Sequence, residues 1–230
     1  MSAARDERPL TVRLKTRKKR TVSQKRWLER QLNDPFVARA KREGMRSRAA
    51  YKLIEIDDKY RLLKPGARVV DLGAAPGGWS DVAAKRVGAT EGTGKVVAID
   101  ILEMKPIAGV AFRQIDFLDP KAPAALHEML GGGADVVLSD MAANATGHKK
   151  TDQLKIMALV EAGIEFAREV LRPGGSFLTK VLQGGTDPKL LAELKRDYAT
   201  VRHVKPQASR ADSSELYLLA SGFRGSARGA

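Results

Sequence analysis

Five polar side chains lie at the ends of consecutive apolar segments in the centre of the chain. They are Asp71, Asp100, Asp116, Asp140 and Lys180. A single aspartate in such a position is more often a helix N-cap or a turn residue, but four in succession favour a shared binding site. In an open α/β sheet, ligands bind outside the carboxyl ends of the strands. Because carboxylates attract cations and repel phosphates, we expect this ligand to carry positive charge.

The elements that must position these side chains alternate between strand and helix from residue 68 onward. Strands are predicted at Arg68–Leu72, Val96–Asp100, Phe112–Asp116, Asp135–Asp140, Ser176–Val181, Val201–Lys205 and Glu215–Ser221. Helices are predicted at Trp79–Val87, Ala122–Leu130, Gln153–Leu171 and Pro188–Tyr198. The alternation predicts an α/β fold with a mostly parallel seven-stranded sheet and helices on both faces. The last two strands have no helix between them and should pair antiparallel at one edge.

The loop after the first strand is rich in glycine. Gly73, Gly77 and Gly78 permit the backbone to approach a ligand closely. The dinucleotide fingerprint GxGxxG requires glycine where this chain has Ala75, and Asp71 would repel a pyrophosphate. A glycine loop beside carboxylates suits S-adenosylmethionine, which carries a sulfonium and an ammonium group and no phosphate. We therefore expect S-adenosylmethionine as the cofactor.

Three further contacts with this cofactor are expected from the strand ends. Asp100 is placed to accept hydrogen bonds from both ribose hydroxyls, as the acidic residue of nucleotide-binding folds does. Asp116, one strand further on, is placed to accept from the adenine amino group. Trp79 offers an apolar wall, although a tryptophan at a helix start more often packs in the core. The expected fold is the Rossmann-like fold of S-adenosylmethionine-dependent methyltransferases.

The composition excludes several kinds of chemistry. The chain has no cysteine, so it lacks the nucleophile needed to methylate carbon 5 of cytosine or uracil. Its three scattered histidines do not form a metal-binding pattern, and we expect no metal. No apolar run reaches the roughly 18 residues of a membrane span, and no secretory signal is seen, so a cytoplasmic protein is expected. The segment SDMAAN at 139–144 differs from the (Asp/Asn/Ser)-Pro-Pro-aromatic segment that serves exocyclic base amines.

A hydroxyl acceptor would need a base, and Lys180 is the candidate. A sugar 2′-hydroxyl is a very weak acid that must lose its proton as the methyl group arrives. An unperturbed lysine has a pKa of about 10.4; burial and a second nearby cation lower such a pKa, and carboxylates raise it. Lys180 interrupts the apolar strand SFLTKVL at its carboxyl end, facing the cofactor region. The alternative is an edge lysine that extends to solvent.

The basic charge of the chain is concentrated at its N-terminal end. The net charge is +14, and residues 1–52 alone hold 17 Lys plus Arg against 5 Asp plus Glu. We predict a disordered basic arm at 1–22, one methyltransferase domain at 23–222 that begins with basic helices (23–62), and a short flexible tail at 223–230. Asp34-Pro35 predicts the start of one of these helices. The charge favours a polyanionic partner, with a solubilising tail as the alternative for the arm.

Five ordered segments resemble the FtsJ-type ribosomal RNA large-subunit methyltransferases. They are RSRAAYKL (46–53), VVDLGAAPGGWS (69–80), SDMAAN (139–144), LTKVLQG (178–184) and SSELYLLA (213–220). The resemblance covers roughly residues 23–222. It implies methylation of a uridine 2′-hydroxyl in large-subunit (23S) ribosomal RNA, on the ribosomal subunit during assembly, by a monomer.

The resemblance also implies a catalytic tetrad, Lys52, Asp140, Lys180 and Glu215. Lys180 would accept the proton. Asp140 would orient the Lys180 amine and would lie next to the cofactor methyl group. Lys52 would supply a second cation that favours deprotonation, and Glu215 would hold Lys52 or the ribose. Without the resemblance, Lys52 would be interpreted as a solvated helix lysine and Glu215 as a cross-strand surface charge.

The family's cofactor contacts fall on Gly77, Trp79, Asp100, Asp116 and Asp140. Two features depart from the family pattern. Ala143 stands where the family usually has proline, and the arm at 1–22 is longer than the common N-terminus. With alanine in place of proline, we expect a less rigid loop after Asp140.

Three alternative functions remain open from the sequence. The first is a 2′-O-methyltransferase of transfer RNA, since related families share much of this pattern. The second is a non-catalytic RNA-binding factor in ribosome assembly, against which the four polar tetrad positions argue. The third is a nicotinamide-dependent oxidoreductase, against which Ala75 and Asp71 argue.

Overall fold

The computed structural model describes residues 21–142, 148–184, 187–211 and 213–225. The predicted basic arm, apart from its last two residues, lies outside these ranges, as does Ala143. Within them, no helix combines the length and the apolar character needed to cross a membrane.

Three helices precede the sheet: α1 (Val22–Leu32), α2 (Pro35–Arg42) and α3 (Ala49–Tyr60). The start of α2 is the one predicted from Asp34-Pro35. The Asp34 side chain accepts a hydrogen bond from the Phe36 N–H at 3.0 Å, and proline occupies the first turn, where its missing N–H costs nothing. The other carboxylate oxygen of Asp34 forms an ion pair with Arg48, immediately before α3.

The sheet has seven strands in the order β3-β2-β1-β4-β5-β7-β6. The strands are β1 (Arg68–Leu72), β2 (Lys95–Asp100), β3 (Val110–Gln114), β4 (Ala134–Ser139), β5 (Leu171–Leu182), β6 (Tyr198–Val204) and β7 (Glu215–Phe223). The helices between them are α4 (Gly78–Val87), α5 (Ala122–Leu130), α6 (Lys149–Val170) and α7 (Pro188–Asp197). β7 runs antiparallel to both of its neighbours, β5 and β6. The predicted fold class is confirmed.

Several strand boundaries differ from the prediction. β3 ends at Gln114, so Asp116 lies in the turn that follows and not at the strand end. β5 begins at Leu171, five residues before the predicted start. The prediction missed this part of the strand because it contains Pro173 and two glycines and has no apolar pattern. β7 also continues to Phe223, one residue into the predicted tail.

The core lies on both faces of the sheet. On one face, α5, α6 and α7 bury residues such as Leu126, Ile164 and Leu194. On the other face, α3 and α4 pack against the sheet through Leu53 and Val82, among others. The position of α3 matters for function, because the same packing brings its Lys52 against β7.

Candidate active site

The glycine loop between β1 and α4 is held against the end of β2. Gly73 and Ala74 donate backbone hydrogen bonds to the Ile99 carbonyl at 3.0 and 3.1 Å. Ala75 donates its N–H to Asp100 Oδ2 at 2.8 Å. Gly77 has φ +101°, and a Cβ there would lie 2.7 Å from Ile107 Cδ1. The positive φ and the close contact therefore favour glycine at this position.

Asp71 of β1 is fully buried beneath this loop. Its Oδ2 accepts a hydrogen bond from Ser80 Oγ at 2.6 Å, whereas Oδ1 has no hydrogen-bond partner among the described residues. Burial raises the pKa of Asp71 to about 7, and the nearby charges of Asp140 and Asp100 act in the same direction. A buried carboxylate with an unsatisfied oxygen fits a cationic ligand, as expected for S-adenosylmethionine.

Asp100 and Asp116 each accept a backbone hydrogen bond from the turn that follows them. Asp100 Oδ1 accepts from Leu102 N–H at 2.7 Å, and Asp116 Oδ1 accepts from Leu118 N–H at 2.9 Å. The two leucines and Ile101 are more than half exposed. Exposed apolar side chains beside two carboxylates suit an adenosine, whose base is apolar on its faces and polar at its edges.

Trp79 occupies the core and does not form an open wall. Its side chain is 2% exposed, its Nε1 donates to the Ala49 carbonyl at 2.9 Å, and its ring packs against Tyr217. The expectation of an apolar wall from this ring is corrected by the packing. A cofactor contact through the Trp79 backbone, in the first turn of α4, stays a prediction.

The four residues of the implied tetrad come together from α3, β5, β7 and the loop after β4. Lys180 on β5 donates to the Asp140 carbonyl at 2.6 Å and to Asp140 Oδ1 at 3.2 Å. Lys52 on α3 donates to Glu215 Oε1 on β7 at 2.5 Å. All four side chains are at most one-fifth exposed. Lys180 lies on a strand between two others, so it is not an edge lysine that extends to solvent.

Tyr217 joins the two ion pairs into one network. Its hydroxyl donates to Asp140 Oδ1 at 2.9 Å, accepts from Lys52 Nζ at 3.2 Å and lies 3.3 Å from Glu215 Oε1. Burial, followed by the charges of Asp140 and Glu215, raises the pKa of this phenol well above its usual value. Tyr217 therefore stays neutral and keeps the proton that it shares with Asp140.

Sequence reasoning missed one of these residues and the burial of another. Tyr217 was part of a quoted segment without a role, although its spacing of two from Glu215 places both on one face of a strand. For Asp71, the sequence predicts a strand-end carboxylate that repels phosphate and attracts a cationic ligand, but not its burial. The structure places it, together with Ser80, under the glycine loop. No cluster of three or more potential metal ligands occurs among the residues that the structure describes.

A parallel sheet with one antiparallel strand, a glycine loop over a buried carboxylate and acidic residues at the strand ends defines the class of S-adenosylmethionine-dependent methyltransferases. Comparison with known proteins makes the assignment narrower. The chain belongs to the FtsJ-like methyltransferase family, whose model matches residues 45–223. The predicted resemblance is confirmed.

Relatives extend this match over nearly the whole chain. The chain is 69% identical over 222 residues to Ribosomal RNA large subunit methyltransferase E of Xanthobacter autotrophicus, covering 96% of this chain and 87% of that protein. It is 68% identical to the protein of the same name from Azorhizobium caulinodans, covering 96% and 92%. A Plasmodium falciparum crystal structure, described as that of a ribosomal RNA methyltransferase, superposes with a TM-score of 0.69 at 32% identity, covering 79% of this chain and all of that one.

Proposed function

We propose that this protein transfers the methyl group of S-adenosylmethionine to the 2′-hydroxyl of a uridine in large-subunit (23S) ribosomal RNA. The observation that carries the proposal is the Lys180–Asp140 pair, where a lysine amine is held beside the cofactor region by two oxygens of one residue. The similarity to proteins named ribosomal RNA large subunit methyltransferases supports the substrate. A ribosomal substrate also favours a cytoplasmic location, and the presence of the whole tetrad in one chain favours a monomer.

The residues around the glycine loop are suited to hold S-adenosylmethionine. Asp71 offers an unsatisfied carboxylate oxygen to its positive charge, and Asp100 and Asp116 retain free lone pairs for the ribose and adenine. The backbone N–H groups that begin α4, next to Gly77, suit its carboxylate. When bound, the cofactor supplies an electrophilic methyl group on a sulfonium.

Lys180 is suited to take the proton from the 2′-hydroxyl. A neutral amine has two N–H donors and one lone pair. The two hydrogen bonds to Asp140 use both donors, which leaves the lone pair for the hydroxyl proton. Asp140 thereby fixes the direction of the lone pair, a positioning effect that general bases require.

Lys52, Glu215 and Tyr217 are suited to maintain this arrangement. Lys52 contributes a positive charge one hydroxyl away from Asp140, through Tyr217. Glu215 neutralises Lys52 enough for it to remain buried, since an unpaired buried charge is very unfavourable. No covalent enzyme intermediate is needed, because the oxygen attacks the methyl group directly.

The test is nucleoside mass spectrometry of ribosomal RNA from cells that lack the protein. We expect one 2′-O-methyluridine of the large-subunit RNA to disappear and to return when the wild-type chain, but not Lys180→Ala, is expressed. Transfer RNA from the same cells serves as the control. Loss of a ribose methylation from transfer RNA alone, with ribosomal RNA unchanged, would contradict the proposed substrate.

A further inference from the structure

A basic cleft lies beside the acceptor half of the tetrad, between the N-terminal helices and the loop that precedes β7. Its volume is about 350 Å³, and its lining includes Arg30, Asp34, Phe36, Arg48, Ser209 and Arg210. This is within the size range of sites for small ligands, including a single nucleotide. None of these side chains has a part in the proposed methyl transfer.

The charge of the cleft is not balanced by its lining. Asp34 is the one carboxylate among the described lining residues. Two partly buried arginines bind its Oδ2: Arg48 Nη1 at 2.5 Å and Arg210 Nε at 3.0 Å. Two guanidinium groups and one carboxylate have a net charge of +1, and the exposed Arg30 adds a further positive charge. The cleft therefore attracts an anion.

Two guanidinium N–H groups in this cluster are also unsatisfied. Arg48 Nε and Arg210 Nη2 are buried and have no hydrogen-bond partner among the described residues. Buried donors in native proteins are nearly always hydrogen-bonded, so a missing partner indicates a ligand or ordered water. An oxyanion with several acceptor oxygens fits two guanidinium groups better than a water molecule does, because guanidinium and phosphate are geometrically matched.

The cleft is directly connected to the tetrad. Ser209 Oγ, in its lining, donates to Glu215 Oε1 at 3.1 Å. Arg48 immediately precedes α3 and lies one helical turn before Lys52. The cofactor aspartates follow β2 and β3, on the other side of the sheet order from β7. An anion in this cleft thus belongs on the acceptor side, next to the nucleoside that receives the methyl group.

We propose that this cleft binds a backbone phosphate of the RNA nucleotide adjacent to the methylated uridine, through Arg48 and Arg210. The inference rests on the proposed function and makes it more specific. Phosphate contacts set the register of a nucleic acid without reading its sequence. The cleft would therefore fix which 2′-hydroxyl meets Lys180, while Phe36 forms an apolar wall for the attached nucleoside.

The test uses Arg210→Gln, because Asp34 then keeps both Arg48 and the Phe36 N–H as partners. The control is Arg196→Gln, which removes the same charge from a 73% exposed side chain outside the cleft. Methyl transfer is measured on large ribosomal subunits from cells that lack the protein, at several salt concentrations. We expect Arg210→Gln to raise KM about tenfold with little change in kcat. The slope of log KM against the logarithm of the salt concentration should decrease by about one.

Two further measurements complete the test. Arg210→Lys retains the charge and should recover the salt dependence, though not the full affinity, because lysine lacks the planar fork. The Kd for S-adenosylmethionine should be unchanged in every variant, which also establishes that each one folds. Equal KM and salt dependence in Arg210→Gln and Arg196→Gln would overturn the inference. If the wild-type protein failed to methylate the subunits at all, the proposed function would fall, and this inference with it.

Discussion

Tyr217 lies directly opposite Lys180 on the neighbouring antiparallel strand, and both residues hydrogen-bond the same oxygen, Asp140 Oδ1. The lysine approaches it at 3.2 Å and the phenol at 2.9 Å. Because Tyr217 is fully buried, its hydroxyl holds this carboxylate from the core side. Tyr217 on β7 thus fixes the rotamer of Asp140, and Asp140 in turn orients Lys180 on β5.

Tyr217→Phe should slow methyl transfer without unfolding the protein. The substitution preserves the buried ring but leaves Asp140 Oδ1 with Lys180 alone, and it also removes a partner of Lys52. Hydrogen bonds to charged groups contribute about 1.5–3 kcal/mol, so we expect kcat to fall by about ten- to a hundredfold. Single-turnover rates on large ribosomal subunits measure this effect.

The matched control for this substitution is Tyr198→Phe. Tyr198 is equally buried, on β6, but its hydroxyl has no hydrogen-bond partner among the described residues. Its removal should leave the rate unchanged. Equal rates in the two variants would argue that the Tyr217 hydroxyl has no part in positioning Asp140.

Lys180→Arg should be as inactive as Lys180→Ala. Arginine can keep the ion pair with Asp140, but it cannot lose its proton and so has no lone pair to accept one. Removing a general base costs about a hundred- to ten-thousandfold in rate. Lys85→Arg, at a 63% exposed position, is the control. Substantial activity in Lys180→Arg would show that Lys180 acts by charge and not as a base.

The positions of the site residues follow from sequence to different degrees. Asp100, Asp140 and Lys180 could be predicted because each lies at or near the carboxyl end of an apolar strand, and these ends of parallel strands meet at one edge. The order of the last strands could not, since periodicity does not say that β7 inserts between β5 and β6. That insertion alone brings Tyr217 and Glu215 to the site.

Asp116 and Trp79 show why the remaining placements could not be predicted. The apolar run before Asp116 continues past the last ladder hydrogen bonds, so the end of β3 was placed two residues too late. A tryptophan beside a glycine loop suits either a ligand or the core, and only the packing against α3 and Tyr217 decides for the core. The local sequence pattern predicts the helices and strands, whereas long-range packing decides whether a side chain faces the core or a ligand.

Gly77→Ala should abolish tight binding of S-adenosylmethionine. The new Cβ would lie 2.7 Å from Ile107 Cδ1 and 2.9 Å from Met104 Sδ, at a φ of +101° that alanine rarely adopts. Because alanine is strained at this φ whether or not the two side chains move aside, we expect the loop to shift, and the backbone N–H groups at the start of α4 to shift with it. Calorimetric titration with S-adenosylmethionine measures the loss of affinity.

Gly92→Ala separates backbone strain from the close contact. Gly92 has a comparable φ of +77°, but nothing lies within 4 Å of the added Cβ. Both variants should lose about 1–3 kcal/mol of stability from the strained backbone. Only Gly77→Ala should lose cofactor affinity. An equal loss of affinity in both would mean that the effect comes from general destabilisation and not from the shape of the loop.

Asp71 should make the stability of the cofactor-free protein fall as the pH rises. Burial raises its pKa to about 7 from a model-peptide value of 3.8, so between these values the folded state binds a proton that the unfolded state has released. Stability is then highest at acidic pH and decreases until the folded carboxyl ionises. At up to 1.36 kcal/mol per pH unit, and with the folded carboxyl half ionised at pH 7, the change from pH 5 to pH 7 is about 2 kcal/mol.

Asp71→Asn isolates this contribution, because the amide keeps a hydrogen-bond acceptor for Ser80 and does not ionise. Urea unfolding of the two proteins at pH 5 and pH 7 should show the decrease in the wild type and a flatter dependence in the variant. Asp58→Asn, at a 61% exposed position, should behave as the wild type. Since a cation prefers the ionised carboxylate, wild-type affinity for S-adenosylmethionine should rise up to about pH 7. A pH-independent affinity in the wild type would show that Asp71 does not face the positive charge of the cofactor.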